Sequence, residues 1–255
     1  MKHKKIATSI LTIALALAGC SDVNLLRPYG HDDGKGPGPV SEVTVTNKPG
    51  AAVIRYKLPS DTDLSYVKAE FTGTDGSKRE ARASSYVDSL LIEGFGDTAN
   101  HTIEIRAYDK CENASSPVMV TVTPLTPPVQ SVFESLGWSV DFGGFIVSFE
   151  NSTKSNIGIY VTKKDTLTGE MEYYDVYYTE KADGVYAVRG LPDEKNDFGL
   201  YVQDHWGNKS ETLEFTATPW REDLLDKKLF SAVNPNLVNG DLASNQYDRQ
   251  MSNVW

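Results

Sequence analysis

The sequence predicts an all-β protein made of two tandem sandwiches that follow a leader and a tether, and three observations predict it. Short runs of alternating apolar and polar residues, separated by turn formers, start at Val43 and continue to Pro219. The second half repeats the first with a period of about 95 residues, the length of one whole sandwich. An uncharged apolar stretch ending in a cysteine precedes both halves.

The leader comes first. Lys2, Lys4 and Lys5 form a basic head, and residues 6–18 are Ile, Leu, Ala, Thr and Ser without a charge. That stretch is shorter than the ~20 residues a bilayer-spanning helix needs. It ends in Leu17-Ala18-Gly19-Cys20, which resembles a bacterial lipobox: small residues before a cysteine whose thiol carries diacylglycerol. Residues 1–19 therefore read as a lipoprotein signal peptide, and Cys20 as the lipidated first residue of a chain anchored to the membrane rather than spanning it. Residues 20–40 include His31-Asp32-Asp33-Gly34-Lys35-Gly36-Pro37-Gly38-Pro39, with no apolar period, and read as a flexible Gly/Pro tether. His31 beside two aspartates is better explained as solvated linker than as a metal ligand.

Residues 41–125 supply the first sandwich. Val43-Thr44-Val45-Thr46 and Ala52-Val53-Ile54-Arg55-Tyr56 open it, and Val67, Ala69 and Phe71 alternate with Lys68, Glu70 and Thr72. Thr74-Asp75-Gly76-Ser77 is a hairpin turn of the Asp-Gly kind, where glycine accepts a positive φ without a Cβ clash. Leu90-Leu91-Ile92, then Ile103, Ile105 and Ala107, then Val118, Val120 and Val122 complete the series. With the return strand of that hairpin, seven such runs match the strand number of an immunoglobulin-like or fibronectin type III-like sandwich.

Residues 126–219 repeat the pattern after Thr126-Pro127-Pro128, two prolines that stiffen the junction. Gly94-Phe95-Gly96-Asp97 with Asn100 recurs as Gly190-Leu191-Pro192-Asp193 with Asn196, and Asp109, Asn113, Ser115 and Pro124 recur as Asp204, Asn208, Ser210 and Pro219. The repeated Asp-x-x-x-Asn-x-Ser falls between the sixth and seventh strands. There Asp and Asn side chains bond to nearby backbone amides, whereas a calcium loop needs more carboxylates at alternate positions. The sequence does not distinguish whether Trp206, in the second copy, caps the sandwich or stands exposed as a contact.

The formal net charge is −10, and −13 without the three leader lysines, a field that argues against nucleic acid as a partner. Cys20 and Cys111 are the two cysteines. With Cys20 consumed by lipid, there is neither a disulfide framework nor zinc spacing. The chain contains no Gly-x-Ser-x-Gly elbow, no His-Glu-x-x-His, no phosphate loop and no dinucleotide fingerprint, so it is expected to be neither an enzyme nor a cofactor or metal protein. A hydrolase would need two carboxylates converging in one cleft, roughly 5–9.5 Å apart.

Aromatic residues are the better lead. Tyr173, Tyr174, Tyr177 and Tyr178 fall in one predicted strand. Strict alternation puts Tyr173 and Tyr177 on one face and Tyr174 and Tyr178 on the other, with one pair exposed. Sugars stack on such rings through their C–H faces while phenol hydroxyls share hydrogen bonds. Cross-strand packing of the rings is the plainer alternative. Tyr174, Tyr178 and Trp206 are the carbohydrate-binding candidates. Trp138 and Trp220 read as packing residues at the ends of the second sandwich.

Tyr66-Val67-Lys68-Ala69, Lys78-Arg79-Glu80, Val87-Asp88-Ser89-Leu90 and Glu93-Gly94-Phe95-Gly96-Asp97-Thr98 together resemble a family of lipoproteins encoded in polysaccharide-utilisation loci beside SusC/SusD-type glycan importers. The second half is similar to that family's middle domain at Gly143-Gly144, Val188-Arg189-Gly190 and Tyr201-Val202-Gln203-Asp204-His205-Trp206-Gly207-Asn208. The resemblance implies an outer-membrane, cell-surface lipoprotein that aids capture of a polysaccharide or oligosaccharide near an importer. It also implies a third, discoidin-like domain, of which residues 220–255 read as an incomplete beginning. Within the same reading, the sandwiches either bind glycan themselves or serve as a passive stalk that presents such a domain or touches the importer.

Overall fold

The structure, a computed structural model, describes residues 32–223, 226 and 228. Alternation in the sequence becomes alternation in space, because successive strand side chains point to opposite faces of a sheet. The first sandwich has β1 (Ser41–Lys48), β2 (Ala51–Lys57), β3 (Leu64–Thr72), β4 (Lys78–Ser84), β5 (Ser89–Glu93), β6 (His101–Asp109) and β7 (Val118–Val122). A three-stranded sheet β1-β2-β5 faces a four-stranded sheet β4-β3-β6-β7, with every pairing antiparallel. Ile54, Leu90, Ile92, Ile103 and Ile105 meet between the sheets, buried almost completely. Full burial of each such side chain is worth roughly 1.5–3 kcal/mol.

The second sandwich repeats this layout with β8 (Gly137–Asp141), β9 (Gly144–Glu150), β10 (Ile157–Lys164), β11 (Met171–Thr179), β12 (Asp183–Val188), β13 (Asn196–Asp204) and β14 (Leu213–Ala217). Its sheets run β8-β9-β12 and β11-β10-β13-β14. Phe145, Ile157, Ile159, Phe198 and Leu200 fill the centre. A three-plus-four antiparallel division in each half is the fibronectin type III variant of the immunoglobulin-like sandwich, as the strand count predicts.

Local chemistry explains the turns. Gly76 has φ 78° in the β3–β4 hairpin, and the Asp75 carboxylate accepts the Ser77 N–H at 3.0 Å. In the repeated motif, Asp109 accepts the N–H groups of Cys111 and Asn113, both at 2.8 Å, and the Asn113 side-chain amide at 2.9 Å. Asp204 does the same for Trp206, Asn208 and the Asn208 side chain. The serine hydroxyls at Ser115 and Ser210 each accept a strand N–H, from Ala107 and Val202. The carboxylate oxygens are thus engaged by the chain's own amides, a turn-forming arrangement.

Two features depart from the sequence reading. The junction prolines start a helix, α1 (Pro128–Ser135), with Pro128 in its first turn, where its missing N–H costs no hydrogen bond; Val129 and Val132 enter the second core. The tether is not loose up to residue 40. Pro37 and Val40 are buried, Gly38 N–H bonds to Asp61, and a Cβ at Gly36 would lie 2.2 Å from the Ala114 carbonyl oxygen. Cys20, His31 and most of residues 220–255 lie outside the described residues.

Candidate functional site

The tyrosines of β11 do not follow strict alternation. The register between β10 and β11 slips between Val161 and Thr162, so Asp175 opposes Val161 but Tyr173 opposes Thr162. This β-bulge adds one residue to β11, and side chains beyond it change face. Tyr173 and Tyr178 consequently share the outer face, 63% and 64% exposed. Tyr174 and Tyr177 both turn inward against the second core. The expected pairing of Tyr174 with Tyr178 is corrected accordingly: Tyr174 is half-buried and donates its hydroxyl to the Arg189 carbonyl. Tyr177 stacks on Tyr186 at 4.9 Å, and the Tyr186 hydroxyl donates to Asp175.

Two rings that the sequence reading did not single out complete the outer face. Tyr160 on β10 pairs with Tyr201 on β13, and their rings stack at 4.9 Å with planes 3° apart. Tyr173 and Tyr178 stand against Tyr160 at 6.5 and 6.1 Å with planes at 65° and 83° to it. Tyr160 and Tyr178 share a hydroxyl hydrogen bond of 3.1 Å. That bond, followed by burial, pushes the Tyr160 pKa up to about 12. Burial, then the neighbouring phenols Tyr173 and Tyr178, raises that of Tyr201. The Tyr160 and Tyr201 phenols are therefore neutral near pH 7, able both to donate and to accept. Lys209 lies over the Tyr201 ring at 3.6 Å, leaving Tyr173 and Tyr178 as the accessible rings. Aligning the repeats would have found this cluster, because Tyr160 and Tyr201 stand where the first sandwich has Lys68 and Arg106.

That first-sandwich face is built differently. Arg82, Lys68 and Arg106 form a row across β4, β3 and β6, beside a row of Glu80, Glu70 and Glu104. Each cation pairs with the carboxylate two residues away on its own strand. Tyr66 and Tyr108 stack at 4.8 Å nearby, but Arg82 and Lys68 lie against their rings. A groove of ≈ 600 Å³ here is lined by Glu70, Glu80 and Glu104. The Lys68 ammonium holds the Glu70 carboxyl below its ordinary range, the opposite of what a general acid needs.

Trp206 lies at the junction between the sandwiches. Its ring is 5.0 Å from the Arg79 guanidinium carbon and 37% exposed. Arg79 donates to the carbonyls of Gly94 at 2.6 Å and Trp206 at 3.4 Å, and Asn208 donates to Gly94 at 3.2 Å. Gly94 has φ 93°, and a Cβ there would come 2.8 Å from the indole. Trp206 thus joins the sandwiches, with His205 beside it at 4.6 Å. Trp138 stacks on Phe215 at 4.2 Å, and Trp220 meets Phe142 edge-on at 5.3 Å. Among the described residues no helix is long and apolar enough to cross a membrane, and no group of three or more His, Cys, Asp or Glu could hold a metal ion.

Residues 37–124 match the family described as Domain of unknown function (DUF4959), and residues 125–228 match Domain of unknown function (DUF5126). A search of curated proteins finds no match. Among solved structures, the chain is similar to a SusE-like protein, at 25% identity and TM-score 0.32, over 36% of this chain and 32% of that one; it thus spans about a third of that protein's length. It is also similar to a two-domain fibronectin type III segment of chicken tenascin, at 16% identity and TM-score 0.31, over 72% of this chain and 99% of that one. The three-domain FN1–FN3 segment of chicken CNTN1 matches at 14% identity and TM-score 0.30, over 73% of this chain and 68% of that one.

Proposed function

We propose that this chain is a non-enzymatic surface lipoprotein that captures polysaccharide for an importer of the SusC/SusD type, anchored through Cys20 and binding glycan on the outer tyrosine face of the second sandwich. The observation that carries this reading is the contrast between the two copies of one sheet. At positions where the first copy carries Lys68 and Arg106, the second carries Tyr160 and Tyr201, with Tyr173 and Tyr178 flanking them. The fold is compatible with a ladder of ion pairs at these positions, so the rings are not a requirement of the sandwich. Neutral phenols beside exposed rings suit the alternating hydroxyl and C–H surfaces of a sugar. The lipobox and the sequence resemblance to polysaccharide-utilisation lipoproteins support the location and the substrate class.

A second reading, a stalk that presents another module or touches the importer, is favoured by the junction, where Arg79, Trp206 and Asn208 tie one sandwich to the next. Affinity electrophoresis of the mature chain against plant, host and microbial polysaccharides decides between them. Binding through the tyrosine face gives retardation on one glycan that is lost in Tyr173→Ala and Tyr178→Ala, with circular dichroism unchanged. Unretarded migration of the folded protein on every glycan overturns it in favour of the stalk.

A further inference from the structure

Gly158 stands where the sandwich does not ask for a glycine. It lies inside β10, buried, and its φ is not positive, so its backbone suits any residue. Glycine inside a strand forfeits packing and costs more chain entropy than alanine. The first sandwich fills the same position with Tyr66, paired to Ser84 on one side and Tyr108 on the other. In the second, Gly158 pairs with Tyr178 and Gln203. The ring has moved from the inner strand to the edge strand.

Two rings take the space a side chain would fill above Gly158. A Cβ placed there would lie 2.8 Å from Cε2 of Tyr160, and 3.0 and 3.2 Å from Cε1 and Cδ1 of Tyr178, closer than carbon atoms pack. One edge of the Tyr178 ring therefore rests on bare backbone, while its hydroxyl shares the 3.1 Å bond with Tyr160. Held at both points, the ring is still 64% exposed. Tyr66 shows the alternative. Rooted on the inner strand, it stacks on Tyr108, lies under Arg82 and donates its hydroxyl to Glu112 at 2.6 Å. Tyr173, opposite Thr162, has no glycine beneath it.

We propose that Gly158 is a positioning residue of the tyrosine face: by carrying no side chain it seats the Tyr178 ring in an orientation that is both fixed and open to a sugar. This rests on the glycan reading of that face. Gly158 is buried and has nothing to offer a ligand, so it acts through Tyr178. A ring already held in its binding orientation gives up less freedom when a sugar stacks on it. The atoms that crowd the missing Cβ belong to tyrosine side chains and not to backbone, so an alanine displaces the rings and leaves the strand in place.

Gly158→Ala in the mature chain tests this by three readouts: thermal midpoint, NMR of ring-labelled tyrosines, and affinity electrophoresis on mixed-linkage β-glucan, arabinoxylan, pectic galactan and hyaluronan. The variant should melt no lower than the parent. Its Tyr160 and Tyr178 ring signals should shift while those of Tyr56 and Tyr186 stay. The dissociation constant for the glycan that retards the parent should rise at least threefold. Failure to fold, a lowered midpoint with signals moved throughout, or unmoved Tyr178 signals overturns the proposal by making Gly158 structural. Shifted ring signals with unchanged retardation overturn it while leaving the glycan reading intact. A parent that no glycan retards overturns the glycan reading itself, and the role of Gly158 falls with it.

Discussion

Asn208 donates its side-chain amide to the carbonyl of Gly94, 114 residues earlier in the chain, at 3.2 Å. The same amide holds Asp204 at 2.8 Å, so one side chain closes a turn and also joins two sandwiches. Its counterpart Asn113 closes its own turn on Asp109 and reaches back to Asp32 instead. Asn208→Ala should therefore cost about 1–3 kcal/mol, the usual consequence of leaving buried polar groups unpaired. Asn113→Ala, whose outward partner is exposed, should cost less. Urea denaturation of both variants checks the order.

Gly94 and Gly190 both have positive φ, 93° and 79°, but only Gly94 has a neighbour waiting for its missing side chain. Gly190→Ala should cost roughly 1–2 kcal/mol through backbone strain alone. Gly94→Ala adds a collision with the Trp206 indole and Arg79, so it should also shift tryptophan emission and lengthen or bend the molecule in small-angle scattering. Emission and scattering unchanged from the parent would contradict this account of the junction.

Tyr174 and Tyr178 should respond differently to truncation although both belong to β11. Tyr174 packs against the core and bonds to Arg189, so Tyr174→Ala should lower stability by at least about 1 kcal/mol, whereas Tyr173→Ala and Tyr178→Ala on the outer face should stay within about 0.5 kcal/mol. Thermal and urea midpoints of the three variants report this directly.

Alkali should destabilise the protein from about pH 10 upward. Burial and then the Asp88 charge push the Tyr56 pKa up to about 12, and the Tyr178 hydroxyl followed by burial does the same for Tyr160. A phenol whose folded pKa exceeds its unfolded value contributes its full stabilisation below the unfolded pKa and loses it as pH rises through the folded one. Tyrosinate absorbance should show late-ionising phenols near pH 12. Tyr178→Phe should move one of them back toward the ordinary value of about 10.

Much of the architecture is legible in the sequence because alternation and repetition are local signals. Val67, Ala69 and Phe71 point inward as their spacing requires, and the Asp109 and Asp204 turns form the same bonds because they carry the same residues. The bulge in β11 is not legible: residues 173–178 contain no glycine, proline or asparagine to mark it, and it is set by pairing with β10. That one residue moved Tyr174 inward and brought Tyr173 out. Tyr160 and Tyr201 escaped notice because Tyr160 is a lone aromatic in its strand and Tyr201 shares its own only with the core residue Phe198, and only sheet pairing makes the two tyrosines neighbours. The position of Trp206 depends on how the two sandwiches meet, which no single strand encodes. The helix after Pro127 is a case of weak local signals decided by two valines finding the second core.

The bulge has a further consequence for how copies of this protein coexist. β11 is the outermost strand of its sheet, nine residues long and rich in tyrosine, so one row of its backbone amides and carbonyls faces outward. A straight ribbon of that composition is a template on which another chain can add itself and begin a fibre. The slip at Val161–Thr162 kinks the ribbon midway and breaks the run of evenly spaced donors and acceptors into two short stretches. The residue that re-aims the tyrosines thus also disfavours edge-to-edge zipping between copies of the chain.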